Sequence, residues 1–256
     1  MSQTFQVIRL EPNGPTGIGL EPMDLDPADF HSPLPQQHIH VYFEDEDLGL
    51  SVGVWSTTSM QEAFGPYPGD EFMWVLEGEV RMVDASEVFT LIESRETFCI
   101  RNAIPISWKQ EGFLRKFYMT YADPSASTPK IASAFGGVRI LDHIAQDSEM
   151  MPLETTDPFV ISGEPPVQRD QNIFANDAGN MFVGVWDSTP FESDMLPFPC
   201  HEMVRLLQGE VTITEENGSN QTFVAGDVFF IPAGTVCSWR AEHTIKKYYS
   251  MLTVAN

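Results

Sequence analysis

Two pairs of oppositely charged residues recur along the chain at the same separation. Glu71 precedes Lys116 by 45 residues, and Glu202 precedes Lys247 by 45 residues. The chain has 14 Lys and Arg against 37 Asp and Glu, so the scarcity of basic residues makes a lysine retained at one offset informative. A carboxylate and an ammonium brought together inside a fold shift each other's pKa. Such a pair suits the binding of a polar ligand or acid–base catalysis.

Three interpretations of these pairs stay open from the sequence. They could form a functional pocket, they could be structural ion pairs without chemistry, or each Lys could point outward and leave its Glu bonded to backbone. For a functional pocket, we expect Glu202 and Lys247 to be the catalytic residues. Four further residues of the same sequence unit are predicted to bind substrate: Trp186, Cys237, Trp239 and Tyr249. Aromatic walls with a few polar groups are typical of small-molecule pockets, and equally of a filled barrel core.

An internal repeat explains why both pairs have the same spacing. Residues 52–80 and 183–211 agree at 12 of 29 positions when the sequence is shifted by 131 without a gap. Unrelated sequences agree at roughly 6 % of positions given ordinary residue usage. The same shift places Val7 on Val138 near the start of the repeat. The chain is therefore expected to contain a duplicated domain.

The duplicated units are expected at 1–121 and 138–256. The segment 122–137 between them is rich in Ser, Ala, Pro and Gly, which is typical of a linker. In both units short runs of β-branched and aromatic residues alternate with turn residues, and no 3.6-residue periodicity lasts long enough for a major helix. Many short strands at this spacing indicate antiparallel sandwiches or barrels. We predict an all-β chain.

The second unit resembles the cupin superfamily. Glu202 lies seven residues before Gly209, and the segment GDVFFIPAGT follows at 226–235. A Glu, six residues, a Gly, a short spacer and then G-D-x-x-x-x-P-x-G are the paired motifs of cupins. The unit is similar in particular to the short cupins grouped with (S)-ureidoglycine aminohydrolase and the ethanolamine-utilisation cupins, which share a Gly-x-Trp strand, here Gly184 and Trp186. The resemblance implies an RmlC-like jelly-roll β-barrel.

The first unit matches the same pattern more weakly. It keeps the motif Glu, but its second motif is degenerate and reads RETFCIRNAIP at 95–105. The whole chain therefore resembles a bicupin, with two tandem jelly-roll barrels. If Glu71 points into its barrel, strand alternation places Phe72, Trp74 and Leu76 on the outer face, which needs a cover. We expect the two units to pack on each other.

Metal binding is where the sequence departs from the resemblance. Metal-binding cupins usually hold a divalent ion with two His before the Glu, the Glu itself and a His in the second motif. Here residues 195–198, MLPF, precede Glu202, and Cys237 stands where the last His is expected. His201 is next to Glu202, so it should face the opposite side of the strand. The sequence predicts no conventional metal site, and leaves Glu202, Cys237 and His201 as the candidate ligands of Mn, Zn, Ni or Fe.

The charge of the chain limits its partners. The formal net charge is −23, which repels phosphate backbones and anionic lipid heads, so neither nucleic acid nor a membrane is expected as a partner. Three cysteines without CxxC spacing, and a start without the features of a signal peptide, favour the cytoplasm. The sequence leaves a homodimer open.

Two functions are consistent with these observations. One is a hydrolase, isomerase or lyase that acts on a small polar metabolite, with its site in the second barrel around Glu202. The other is a non-catalytic bicupin that binds a small molecule or regulates a partner and has lost the metal site.

Overall fold

The computed structural model describes residues 5–124, 136–161 and 163–254. Within these ranges the chain is almost entirely β, which confirms the predicted fold class. The described helical segments are one α-helical turn and three 3-10 turns: α1 (Leu141–Ile144), Pro15–Gly17, Pro27–Asp29 and Asp147–Glu149. No helix in the described part of the chain has the length and apolar character needed to cross a membrane. Most of the predicted linker, residues 125–135, lies outside the described residues.

Short strands bounded by turn residues fill both halves of the sequence. In the first half they are β1 (Ile8–Leu10), β2 (Glu21–Pro22), β3 (Gln37–Asp45), β4 (Leu50–Thr57), β5 (Met60–Gln61), β6 (Gly65–Pro66), β7 (Asp70–Glu77), β8 (Val80–Val83), β9 (Phe89–Ile92), β10 (Thr97–Ile100), β11 (Pro105–Gln110) and β12 (Leu114–Tyr121). In the second half they are β13 (Val138–Ile140), β14 (Met151–Pro152), β15 (Gln168–Ala175), β16 (Met181–Ser188), β17 (Phe191–Glu192), β18 (Leu196–Pro197), β19 (His201–Gln208), β20 (Glu210–Glu215), β21 (Asn220–Val224), β22 (Val228–Ile231), β23 (Val236–Ala241) and β24 (Ile245–Leu252).

The strands form four sheets, two in each compact unit. The N-terminal unit has a seven-stranded sheet, β13-β10-β7-β12-β4-β3-β2, and a five-stranded sheet, β5-β11-β8-β9, with β6 paired to β11. The C-terminal unit repeats this plan with β1-β22-β19-β24-β16-β15-β14 and β17-β23-β20-β21, with β18 paired to β23. Two antiparallel sheets around one apolar core are the architecture of a jelly roll.

Each compact unit of the structure combines most of one repeat with a short segment at the start of the other. The N-terminal unit comprises residues 10–144, whereas the C-terminal unit comprises residues 145–254 together with 5–9. The sheet order explains this division, because β1 pairs with β22 and β13 pairs with β10. Each repeat therefore supplies the edge strand of the sheet formed by the other repeat, and this strand covers an open sheet edge.

Each unit has its own apolar core between its two sheets. In the N-terminal unit Trp55, Met73 and Val75 belong to this core, so alternate residues of β7 point inward as predicted. In the C-terminal unit Val204 and Leu206 of β19 occupy the matching positions. The packing of the two units on each other stays a prediction.

Candidate active site of the C-terminal barrel

The Glu–Lys pair of the C-terminal unit lies inside its barrel. Glu202 is on β19 and Lys247 is on β24, and the two strands are antiparallel neighbours. The Nζ atom of Lys247 donates a hydrogen bond to Glu202 Oε1 at 2.6 Å, and each side chain is only 5 % exposed. An isolated buried charge would cost several kcal/mol, so each member needs the other.

Two tryptophan rings flank the ammonium of Lys247. Its Nζ atom lies 5.0 Å from the ring centroid of Trp186 and 4.9 Å from that of Trp239. The face of an indole attracts a cation, and the attraction strengthens when water is excluded. The two rings and Glu202 together fix the position of the ammonium.

A glycine on β16 makes room for a tyrosine of the site. Gly184 and Tyr249 are directly opposite each other on β16 and β24. A Cβ atom on Gly184 would lie 2.6 Å from the Tyr249 hydroxyl and 2.5 Å from the carbonyl oxygen of Gln171, closer than real Cβ contacts. The Gly-x-Trp pattern therefore has a physical reason: the glycine lets the Tyr249 ring lie across β16, and Trp186 follows on the same face.

A second polar pair lies beside the first. The hydroxyl of Tyr249 donates a hydrogen bond to Asp170 on β15 and accepts one from Asn172. Burial raises the pKa of Tyr249 well above its usual value, and the charge of Asp170 adds to that rise. Burial also raises the pKa of Asp170, although the hydrogen bond from Tyr249 and the charge of Lys247 oppose the change.

Both polar pairs line one cavity of about 200 Å³. Its wall consists of Leu153, Asp157, Pro158, Phe159, Asp170, Trp186, Glu202, Lys247, Tyr249 and Met251. The volume is below the roughly 300 Å³ at which pockets for drug-sized ligands begin. A mostly apolar cavity with a few polar groups of fixed position has the character of a small-molecule site.

The structure brings together four of the six residues predicted for a functional pocket. Glu202, Lys247, Trp186 and Tyr249 line the cavity, whereas Cys237 and Trp239 are not on its wall. Trp239 is 1 % exposed; it contacts the site through the ammonium that lies over its ring and through the ring of Phe159, at 5.1 Å between centroids.

Cys237 belongs to the apolar core of the C-terminal unit. It is buried, and burial raises the pKa of its thiol to about 12, to which Glu215 and Glu202 contribute. A thiol of that acidity is protonated at neutral pH and is a poor nucleophile. Cys237 therefore does not join the site as a reactive group.

Sequence reasoning missed two parts of the cavity wall. Asp170 was not singled out, although the shift of 131 places it on the apolar Ile39 of the first repeat. A carboxylate that replaces an apolar residue at an inward strand position is a signal that the repeat comparison could have provided. Asp157 and Phe159 lie in an irregular segment, where no strand pattern predicts which way a side chain points.

The N-terminal unit contains the equivalent ion pair. Lys116 Nζ donates to Glu71 Oε1 at 2.7 Å, and its ammonium lies 4.8 Å from the ring centroid of Trp108 and 5.2 Å from that of Trp55. The hydroxyl of Tyr67 donates a further hydrogen bond to Glu71 Oε2 at 2.5 Å. The interpretation in which Glu and Lys do not meet is thus contradicted in both barrels.

The surroundings of the two ion pairs differ. Ile39 packs against the N-terminal core at the position that Asp170 holds in the other unit. Glu62 lies near the N-terminal pair, and burial raises its pKa to about 7; Glu71 and Asp29 add to the rise, while Lys116 opposes it. The two barrels therefore share a charged centre but have different groups around it.

Comparison with known proteins agrees with this architecture. Residues 175–249 match the model of the EutQ-like cupin domain family. A protein of unknown function from Pseudomonas syringae pv. tomato superposes with a TM-score of 0.76 at 23 % identity, over 97 % of this chain and 100 % of the other. The protein has the cupin fold. No curated protein sequence matches this chain.

Other solved structures share the fold at lower similarity. A putative glyoxylate-induced protein from Pseudomonas aeruginosa has a TM-score of 0.57 at 10 % identity, over 100 % of this chain and 92 % of the other. A cupin 2 conserved barrel domain protein from Leptotrichia buccalis has a TM-score of 0.55 at 11 % identity, over 84 % of this chain and 88 % of the other. At such identities the likeness concerns the fold alone.

The residues of this site do not fit a conventional divalent metal site. Glu202 already has a cation beside it, the ammonium of Lys247. His201 Nδ1 accepts a hydrogen bond from the amide of Ala233 at 3.2 Å, and its ring stacks on Phe230, away from the face that carries Glu202. No group of three His, Cys, Asp or Glu that could hold a metal ion exists among the described residues. We therefore derive no step through a metal.

Proposed function

We propose that the C-terminal barrel binds a small polar metabolite in its cavity and catalyses a proton-transfer reaction on it, of the hydrolase, isomerase or lyase type. The observation that carries the proposal is the convergence of two polar pairs, Glu202–Lys247 and Asp170–Tyr249, on one small cavity. Convergent polar groups in a concave site are typical of active sites, and the pKa values of Asp170 and Tyr249 are both raised by burial.

Lys247 is the proposed proton donor. Its ammonium is held by Glu202 and by the ring faces of Trp186 and Trp239, so it faces the ligand in a defined position. A fixed positive charge in a site that excludes water stabilises negative charge that develops on a substrate oxygen. Glu202 lines the same cavity and accepts the hydrogen bond from Lys247, so it can take up the proton that the reaction releases.

Tyr249 and Trp186 are the proposed binding residues. The Tyr249 ring lies across Gly184, and its hydroxyl is held by Asp170 and Asn172. Because its pKa is raised, the phenol stays protonated and keeps its hydrogen bond to Asp170, which fixes the position of the ring. Trp186 provides an apolar wall against which the carbon skeleton of a metabolite can pack.

The test compares the two barrels of the same chain. Replacing both members of an ion pair by neutral groups of similar size removes the chemistry without leaving a buried unpaired charge. We would prepare Glu202→Gln/Lys247→Met and, as the matched control, Glu71→Gln/Lys116→Met. A thermal-shift screen of ureides, amines and sugar acids would be run on the wild type and on both variants.

The expected result is a ligand that stabilises the wild type and the control variant but not Glu202→Gln/Lys247→Met. NMR of that ligand over hours should show its conversion by the first two proteins only. Loss of binding in the N-terminal variant alone would contradict the choice of barrel. Binding without conversion would contradict catalysis and would favour the alternative function, a non-catalytic cupin that binds a small molecule.

A further inference from the structure

The cavity of the C-terminal barrel has more carboxylates than cations on its wall. Asp157, Asp170 and Glu202 face one ammonium, that of Lys247, which is already paired with Glu202. Asp157 accepts a hydrogen bond from Thr155 Oγ1 at 2.9 Å, and Asp170 accepts one from Tyr249. Within the described part of the chain, neither aspartate forms an ion pair with a Lys or Arg side chain of its own.

A carboxylate that is partly removed from water is stabilised by a nearby positive charge or by several donors. Asp170 is half-buried, and burial raises its pKa, although the hydrogen bond from Tyr249 and the charge of Lys247 oppose the rise; Asp157, which lines the same cavity, is exposed. A cation in the cavity would place a positive charge close to both carboxylates. An anionic ligand would instead meet two carboxylates and an ammonium whose charge Glu202 already balances.

Aromatic rings form much of the remaining wall. Phe159, Trp186 and Tyr249 line the cavity, and the ring of Phe159 is 6.0 Å from that of Trp186 between centroids. Aromatic faces attract organic cations, and the attraction grows as the site is desolvated. The ring walls and the carboxylates thus favour the same class of ligand.

The N-terminal barrel shows which of these features is particular to the C-terminal one. It has the equivalent ion pair, Glu71–Lys116, beside two equivalent tryptophans, but Ile39 stands at the position of Asp170. The ion pair alone therefore does not require an aspartate on β15. The position of Asp170 on β15 therefore has to be explained by something other than the pairing of Lys247.

We infer that the ligand of this cavity is a small organic ammonium, whose charged nitrogen lies against Asp170 and Asp157 and whose carbon skeleton packs on Phe159, Trp186 and Tyr249. The inference rests on the proposed function and names its ligand class. The net charge of −23 also attracts cations toward the protein at low salt. In this arrangement Asp170 is a binding residue, and Lys247 is left to face the reacting part of the ligand.

The test uses three probes of one shape and different charge: benzylammonium, benzyl alcohol and benzoate. Titrations followed by calorimetry at matched ionic strength should give affinities in that order, with benzylammonium at least about tenfold tighter than benzoate. The variant Asp170→Ile copies the residue of the other barrel. It should lose most of the preference for benzylammonium and bind benzyl alcohol within about twofold of the wild type.

Each outcome separates this inference from the proposed function. Tighter binding of benzoate, or an unchanged preference in Asp170→Ile, overturns the ammonium assignment but leaves the cavity as a ligand site. Failure of all three probes to bind overturns the ammonium assignment, whereas the proposed function fails only if the thermal-shift screen finds no ligand that depends on Glu202 and Lys247. If Asp170→Ile does not fold, Asp170→Asn keeps the shape of the side chain and tests the same loss of charge.

Discussion

At the scale of single residues, the scarcity of lysine drew attention to the two Glu–Lys pairs. The shared offset from two motif glutamates left a contact as one of the open interpretations, and both contacts are present at 2.6 and 2.7 Å. The residues that distinguish the two pairs were not predictable in the same way. Asp170 stands out only when the two repeats are aligned, because Ile39 is at the matching position. The raised pKa of Glu62 depends on its burial, which no local sequence pattern encodes.

Glu62 gives the N-terminal barrel a pH-dependent stability. Its pKa is about 7 in the folded protein and near 4.5 in the unfolded chain, so the folded state binds its proton more tightly. The contribution of Glu62 to the free energy of unfolding is fully present below pH 4.5. It is lost progressively as the pH rises through about 7, because the buried carboxyl must then ionise. Glu62 is half-buried, so the effect is reduced by solvent screening. In urea titrations the free energy of unfolding of Glu62→Gln should exceed that of the wild type by about 2 kcal/mol at pH 8, and should differ little from it at pH 5.

The control for this prediction is an exposed glutamate of the same unit. Glu93→Gln should change the unfolding free energy equally little at both pH values, because the side chain of Glu93 is exposed. A gain for Glu62→Gln that does not depend on pH would show that the carboxyl does not titrate as described.

At the scale of elements, the degenerate motif of the N-terminal barrel keeps the turns of the intact one. Gly226 and Gly234 have φ angles of 99° and 85° in the C-terminal unit. The shift of 131 places them on Arg95 and Ala103, whose φ angles are 71° and 63°. The second motif of the N-terminal unit is degenerate in sequence because both glycines are absent. The positive φ angles are nevertheless kept, because the flanking strands still pair and impose the turns.

The strain at Arg95 predicts a stabilising substitution. A residue with a Cβ atom is destabilised by about 1–2 kcal/mol in the left-handed region. Glycine avoids this strain, but part of the gain is lost because glycine gives the unfolded chain more conformational entropy. Arg95→Gly should therefore raise the free energy of unfolding by about 0.5–1 kcal/mol. Arg95→Ala keeps the strain and serves as the control; an equal gain in that variant would trace the effect to the lost side chain instead of the backbone.

At the scale of the whole molecule, the repeat predicted two barrels but not which strand each barrel contains. Residues 5–9 and their counterparts near Val138 occupy equivalent positions of the two repeats, so their sequences fit either sheet edge equally well. Pattern alone cannot distinguish a strand that folds onto its own repeat from one that is exchanged. The strand pairings of the folded chain distinguish the two cases, since β1 pairs with β22 and β13 pairs with β10.

The exchanged strand predicts that the C-terminal barrel depends on the start of the chain. Val7 is 4 % exposed in the C-terminal core, and its amide donates to the buried Glu215 at 2.5 Å. Arg9 forms an ion pair with Asp227 at 2.8 Å and lies over the ring of Phe223. Burial of one such side chain and one hydrogen bond to a charged group are each worth about 1.5–3 kcal/mol.

Removal of residues 1–9 should therefore lower the stability of the C-terminal barrel by at least about 3 kcal/mol, because it also leaves the edge of β22 unpaired. Removal of residues 1–4 alone is the control, since it retains Val7 and Arg9. Hydrogen exchange followed by mass spectrometry should show faster exchange in β22 and β19 of the longer truncation, with β10 and β7 of the N-terminal barrel unchanged. Unaltered protection of β22 would mean that residues 5–9 do not form its edge strand, and the division of the chain into exchanged units would then be incorrect.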